Sequence, residues 1–148
     1  QRLVQEVQRQ IEPQITRRTV HWQVKSLPTV TGDRSLLRQV WQNLIENALK
    51  YTRQQSAAQI TIGSQPGQGE TIFFVRDNGI GFDPDEATNL FGVFQRLSNA
   101  DDFDGTGVGL ANVQRVIYRH QGRVWAEGKL GAGATFYFAL PHPAIAPQ

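Results

Sequence analysis

Residues 33–51, DRSLLRQVWQNLIENALKY, constrain the fold more than any other stretch because they predict one long amphipathic helix. Asp33 is a good N-cap residue. The apolar residues that follow recur at three- and four-residue spacing: Leu37, Val40, Trp41, Leu44, Ile45 and Ala48. Side chains at this spacing share one helix face. That face has to be buried, so the helix must lie on the core of a folded domain.

The same helix carries a polar flank made of Asn43, Asn47 and Lys50. At about 100° per residue, the three side chains fall within a wedge of roughly 60°. Carboxamide oxygens suit Mg²⁺, and a lysine beside them supplies positive charge for phosphate oxygens. Taken alone, the pattern is more typical of a solvated polar edge, so both interpretations stand at this point.

Composition limits the class of protein. A chain of 148 residues is the size of one domain and can bury a full core without metals or disulfides. The absence of cysteine excludes a disulfide framework and a thiolate metal site, and three histidines argue against a histidine-rich metal site. We expect a cytoplasmic domain.

Neither a membrane nor a nucleic acid is an expected partner. The sequence has no apolar run of about 18 residues and does not open on a signal-peptide pattern. The formal net charge is +2, and the basic residues are scattered among acids rather than gathered in a stripe. The chain lacks methionine and begins at Gln1, so we expect a piece of a longer protein.

The remaining patterns predict an α+β fold. Apolar spacing predicts helices over residues 2–11 and 107–120. Strands are predicted over residues 19–24, 29–31, 59–64, 71–76, 123–127 and 134–140. These elements do not alternate as regular βαβ units. We therefore expect a two-layer α/β sandwich, in which a mixed, mostly antiparallel sheet of about five strands is covered on one face by about three helices.

Within this fold, the strand over residues 71–76 is apolar on both faces and should be central. Residues 1–16 are expected to connect to an absent preceding domain, residues 17–141 to form the folded domain, and residues 142–148 to form a tail.

A first glycine cluster, residues 77–81 (DNGIG), follows the central strand. Gly79 and Gly81 would let the backbone turn sharply and let a flat ligand approach. The carboxylate of Asp77 could accept a hydrogen bond from an exocyclic amine, which would select adenine over guanine. An ordinary turn explains DNGIG equally well.

A second glycine cluster, residues 105–110 (GTGVGL), opens the last predicted helix. Glycines at every second position let backbone N–H groups converge on an anion at a helix N-terminus. The spacing is neither that of the P-loop nor GxGxxG. A flexible hinge is the alternative.

The segment between the clusters has the pattern of a lid. Phe91 and Phe94 would anchor one end of it, and the polar run over residues 97–104 would move. Arg96 could neutralise a transferring phosphoryl group. The acids in the polar run, Asp101, Asp102 and Asp104, fit a solvated lid surface better than a metal site.

The order of these four motifs is more specific than any one of them. NLIENALKY, DNGIGF, LFGVFQRL and GTGVGLA resemble the asparagine, first glycine, phenylalanine and second glycine boxes of bacterial sensor histidine kinases. Over about residues 17–141 the chain resembles their catalytic and ATP-binding domain, the Bergerat fold of the GHKL group that includes gyrase and Hsp90. The stretch from Phe94 to Gly128 is especially similar to phytochrome-type kinases.

The resemblance implies roles at the phosphate end of Mg-ATP. Asn47 would bind the Mg²⁺ that bridges the phosphates, and Asn43 would assist one turn earlier. Lys50 and Arg96 would contact phosphate oxygens, and Tyr51 would lie near the nucleotide. The residues expected to wrap the phosphates are Gly105, Thr106, Gly107, Val108, Gly109 and Leu110.

At the adenine end, the resemblance implies that Asp77 bonds the adenine amino group. Gly79 and Gly81 would shape this pocket, and Thr135 would join its water network.

The resemblance also separates branches of the family. ATP-hydrolysing members and anti-sigma kinases carry a glutamate where this chain has Asn43, and an amide cannot act as a general base. A histidine imidazole fits as the acceptor because it is partly neutral at pH 7. The three histidines here lack the sequence context of the phosphorylated histidine, so the acceptor should lie on a preceding dimerisation domain, and an aspartate of a response regulator should follow.

Two alternatives remain at this point. One is a GHKL-type ATPase or an anti-sigma serine kinase. The other is a non-catalytic module that docks a partner in a nucleotide-dependent manner.

Overall fold

Three α-helices and five β-strands make up the computed structural model, which describes residues 2–15, 18–85 and 109–142. The helices are α1 (Arg2–Ile11), α2 (Arg34–Tyr51) and α3 (Gly109–Arg119). The strands are β1 (Val20–Val24), β2 (Ala58–Gly67), β3 (Glu70–Asp77), β4 (Arg123–Gly128) and β5 (Ala134–Pro141). A short 3-10 helix, Glu12–Ile15, follows α1. No helix among these residues is long and apolar enough to span a bilayer.

The strands form one mixed sheet in the order β1-β2-β3-β5-β4. β1 pairs with β2 in parallel, and the other three pairs are antiparallel. β3 is the middle strand, as its two apolar faces predict. The predicted α+β architecture is confirmed.

Two strand predictions differ from the structure. Residues 29–31 do not form a strand. Val30 is partly buried and packs against the core. Pro28 comes directly before this segment, and a proline has no N–H group to donate to a neighbouring strand. β2 and β3 also extend into the predicted turn over residues 65–70, so that only Gln68 and Gly69 join them, and Gly69 has a φ of 70°.

The helices cover one face of the sheet. Among the three helices, α2 contributes the most buried side chains. The indole of its Trp41 packs edge-on against Phe73 and Phe138, with ring centroids 5.7 and 5.0 Å apart. α1 adds Val4, Val7 and Ile11, which are fully buried in the same cluster. The helix predicted to connect to a preceding domain thus packs on the same core as α2.

On the other face of the sheet, aromatic and arginine side chains of the strands pack on one another. Tyr137 stacks on Trp125 at 5.0 Å and lies beside Phe74 at 6.2 Å. Arg123 lies over the Trp125 ring and Arg76 over the Phe74 ring, at 4.3 and 5.2 Å. Cation–π contacts of this kind shield the aromatic surface while the guanidinium groups stay in water.

The core position of α2 predicts a large cost for truncating Leu44, which is 1% exposed. Leu44→Ala should lower the free energy of unfolding by about 3 kcal/mol because it leaves a cavity. Urea denaturation followed by circular dichroism measures this value. Leu130→Ala is the matched control because Leu130 is 54% exposed. Equal losses in both variants would contradict the packing.

Candidate functional site

The polar flank of α2 lies beside the start of α3. The two helices run antiparallel: the Asp33 N–H at one end of α2 donates to Nε2 of His120, 2.9 Å away, just after α3 ends. At the other end of α3, a Cβ added to Gly109 would lie 3.7 Å from Oδ1 of Asn43. The end of the second glycine cluster and the first asparagine are thus brought into contact distance.

Local hydrogen bonds set the ends of α2 and hence the positions of its polar residues. Asp33 is the N-cap, and its Oδ1 accepts the Leu36 N–H at 2.9 Å, as predicted. At the C-terminal end, the buried Thr52 hydroxyl donates to the carbonyl of Ala48 at 2.8 Å.

Asn47 presents a buried amide to the site. Its Nδ2 atom is buried and has no hydrogen-bond partner among the described residues. A buried polar atom without a partner costs about 1–3 kcal/mol, so such an atom points to a polar ligand. Rotation about the last side-chain bond exchanges Nδ2 with Oδ1, so the same amide can offer either a donor or a metal-ligating oxygen.

Lys50 and Tyr51 close the end of α2 nearest the first glycine cluster. The Lys50 ammonium lies 5.3 Å from the centre of the Tyr51 ring. The carbonyl of Tyr51 accepts the N–H of Ile80 at 3.1 Å. α2 and the first glycine cluster are therefore tied together through the backbone.

Asp77 ends the central strand with its carboxyl group buried and only 5% of the residue exposed. Oδ1 accepts the Gly79 N–H at 2.8 Å, whereas Oδ2 is buried without a partner among the described residues. Burial raises the pKa of Asp77 to about 6, although the backbone N–H groups of Gly79 and Ala134 favour its charged form. Oδ2 can therefore accept a hydrogen bond from a ligand.

Three glycines let backbone segments meet around Asp77. A Cβ on Gly79 would lie 2.1 Å from the Tyr51 carbonyl oxygen, so only glycine fits there. Gly81 and Gly133 have φ angles of 67° and 88°, and each lies against backbone oxygens of the neighbouring loop. The first glycine cluster and the β4–β5 turn therefore form one interlocked wall.

The structure does not bring Thr135 to this pocket. Thr135 pairs with Arg76 in the sheet and accepts a hydrogen bond from its Nε at 3.3 Å. Asp77 is the next residue and faces the opposite side of the sheet, because side chains alternate along a strand. The structure therefore places the Thr135 side chain on the sheet face opposite to that of Asp77.

The backbone of Gly133 and Ala134 occupies the place beside Asp77 instead. The sequence prediction missed these two residues. A signal existed in the spacing of Gly131 and Gly133 just before the last strand, which repeats the every-second-residue pattern of the other two glycine clusters.

Several predicted residues lie outside the described part of the chain. They are Arg96, Gly105, Thr106, Gly107 and Val108, together with the predicted lid. Leu110 is described, and its side chain packs against the core.

Within residues 2–15, 18–85 and 109–142, no group of three or more histidine or acidic side chains is placed to hold a metal ion. Mg²⁺ commonly binds through one or two protein oxygens and otherwise through phosphates and water. The buried Asn47 amide fits that mode.

Comparison with known proteins identifies the family of the chain. The model of the histidine kinase-, DNA gyrase B-, and HSP90-like ATPase family matches residues 32–144. Cyanobacterial phytochrome A of Nostoc sp. is 50% identical over 115 residues, which are 78% of this chain and 15% of that protein. The methanogenesis regulatory histidine kinase FilI of Methanothrix harundinacea is 43% identical over 116 residues, which are 78% of this chain and 13% of that protein.

A solved structure gives the same result in three dimensions. The crystal structure of full-length ShkA in complex with AMPPNP matches with a TM-score of 0.77 and 32% identity, covering 98% of this chain and 30% of that chain. The family match extends from the end of the β1–α2 connection past the end of β5, and it includes every described residue of the site. The chain therefore belongs to the histidine kinase-, DNA gyrase B- and HSP90-like ATPase family, as a domain of the kind found in sensor histidine kinases.

Proposed function

We propose that this chain is the ATP-binding catalytic domain of a sensor histidine kinase. It transfers the γ-phosphoryl group of Mg-ATP to a histidine on the dimerisation domain of the same protein, for relay to an aspartate of a response regulator. The observation that carries the proposal is a pair of buried polar atoms that have no hydrogen-bond partner among the described residues, Asp77 Oδ2 and Asn47 Nδ2. They lie on the two elements that the Tyr51–Ile80 hydrogen bond ties together.

At the adenine end, Asp77 Oδ2 accepts a hydrogen bond from the exocyclic amine. Guanine carries a carbonyl at the equivalent position, and two acceptors would then face each other. The walls formed by Gly79, Gly81 and Gly133 let the flat base approach the backbone. This arrangement selects adenine nucleotides.

At the phosphate end, Asn47 offers its amide to the Mg²⁺ that accompanies the phosphates, and Asn43 lies one turn away. Bound Mg²⁺ would neutralise part of the charge on the phosphate oxygens. Lys50 supplies further positive charge. As the motifs suggest, Arg96 also supplies positive charge, and residues 105–110 supply N–H donors. The protein acts by positioning and charge neutralisation.

The acceptor follows from the residue at position 43. An amide there cannot deprotonate a water or a hydroxyl group, which argues against an ATPase or a serine kinase. A histidine nitrogen is already unprotonated in part of the population at neutral pH. We therefore propose that the acceptor histidine lies on a separate domain. Because ATP is the phosphoryl donor, we also propose that the reaction takes place in the cytoplasm.

The proposal is tested by mixing the chain with Mg-ATP labelled at the γ-phosphate and with the dimerisation domain of its parent protein. Acid-labile, base-stable label on that domain, with little free phosphate, is the expected result. Rapid release of free phosphate would instead identify an ATPase. Nucleotide binding without any transfer would favour the docking module.

Asn47→Asp should lower the affinity for Mg-ATP about tenfold or more, because it replaces a neutral ligand beside the phosphates with a carboxylate. Isothermal titration calorimetry measures the affinity. Gln54→Glu is the matched control, since it makes the same amide-to-carboxylate exchange on the exposed turn after α2. Wild-type affinity in Asn47→Asp would contradict the assignment of Asn47.

Asp77→Asn should change how stability depends on pH in the absence of nucleotide. Between pH 3.8 and about 6, the Asp77 carboxyl ionises in the unfolded chain but stays protonated in the folded one, so wild-type stability from this group is lost as the pH rises. Asparagine does not titrate. The stability of Asp77→Asn relative to wild type should therefore rise by up to about 3 kcal/mol from pH 4 to pH 7.

Urea denaturation across this pH range measures the difference. Asp85→Asn is the matched control, because the Asp85 side chain is exposed and its replacement relieves no burial. A stability difference for Asp77→Asn that does not change with pH would show that the carboxyl group is not held in a desolvated site.

A further inference from the structure

The guanidinium group of Arg18 reaches the C-terminal end of α2 from a distant part of the chain. Arg18 lies just before β1, yet its Nη1 donates to the carbonyl of Leu49 at 2.8 Å and its Nη2 to the hydroxyl of Thr52 at 2.9 Å. The last carbonyls of a helix have no partner within the helix and form the negative end of its dipole. Arg18 therefore caps α2 from outside.

Two effects disfavour the charged form of Arg18 at this position. Burial first, and then the nearby charge of Arg53, lower the pKa of Arg18 from its usual value. The guanidinium nevertheless stays charged at neutral pH. Its hydrogen bonds to the Leu49 carbonyl and the Thr52 hydroxyl favour the charged form and oppose both effects. Thr52 completes the cap, because its hydroxyl accepts from Arg18 and donates to Ala48.

The same helix end holds the loop that shapes the candidate adenine pocket. Tyr51 lies between the two residues that Arg18 contacts, and its carbonyl accepts the Ile80 N–H at 3.1 Å. Gly79 lies so close to this carbonyl that a Cβ would be 2.1 Å from the oxygen. The Gly79 N–H in turn donates to Oδ1 of Asp77 at 2.8 Å. A continuous set of contacts runs from Arg18 to the Asp77 carboxylate.

We propose that Arg18 is a positioning residue for the nucleotide pocket. By holding the carbonyl of Leu49 and the hydroxyl of Thr52, it fixes the Tyr51 carbonyl against Gly79 and Ile80 and so sets the direction of the Asp77 carboxylate. The inference rests on the proposed function, because it assigns Asp77 to adenine. It adds a residue that lies before β1 and outside all four sequence motifs.

The test compares Arg18→Gln and Arg18→Lys with the wild type and with Arg53→Gln. Arg53 supplies the matched control because it carries the same charge at the same helix end and its side chain is exposed. A lysine keeps the charge but, as a point donor, cannot bridge the two acceptors in the way that a guanidinium does. If charge near the helix end were all that mattered, Arg18→Gln and Arg53→Gln would behave alike.

The first measurement is amide hydrogen exchange without nucleotide, read at Gly79 and Ile80. Arg18→Gln should speed exchange at Ile80 about tenfold, because the Tyr51 carbonyl is no longer held in place. Arg53→Gln should leave the exchange rate at the wild-type value. Unchanged exchange in Arg18→Gln would overturn the inference. Should Arg18→Gln not fold, Arg18→Lys carries the same measurement.

The second measurement is the affinity for Mg-ATP and Mg-GTP at a temperature where all variants are folded. Arg18→Gln should weaken Mg-ATP binding about fivefold and reduce the preference for Mg-ATP over Mg-GTP, with Arg18→Lys in between. A loss of stability with unchanged affinity and preference would show a structural cap only and would overturn the positioning role. No Mg-ATP binding by the wild type would overturn the proposed function, and the Ile80 exchange rate would then decide separately whether Arg18 holds the loop.

Discussion

The burial of one face of α2 against the central strands is the contact on which the rest of the structure depends. Trp41 wedges against Phe73 and Phe138, and an amphipathic helix with this much apolar surface has only one stable rotation on the sheet. That rotation decides where the polar flank points. Asn43 and Asn47 reach the site because the apolar residues between them are fixed in the core. Burial of the apolar face of α2 therefore also fixes the position of its polar flank.

Asp77 shows the opposite relation between stability and chemistry. A carboxyl group at the end of a central strand is withdrawn from water, and only part of its hydrogen-bonding capacity is met by Gly79 and Ala134. A hydrophobic residue would suit the folded chain better. Unfavourable local arrangements of this sort are typical of sites that bind ligands.

The sequence predicted what depends on local periodicity and spacing. It placed α2 to within a residue and located Asp77 at the end of the central strand. It could not predict what depends on the pairing of distant segments. Thr135 lies one residue from Ala134, but the register of β5 against β3 turns its side chain to the other face. The contact of Arg18 with α2 joins residues 31 positions apart and has no signature in either segment.

Asp77 Oδ2, which has no hydrogen-bond partner in the described part of the chain, has a consequence for the protein as a whole. A ligand that supplies the missing donor binds the folded chain and not the unfolded one, so its binding energy is added to the folding equilibrium. The added stability grows with the logarithm of the free ligand concentration above the dissociation constant. The folded fraction of the domain would then rise with the concentration of such a ligand.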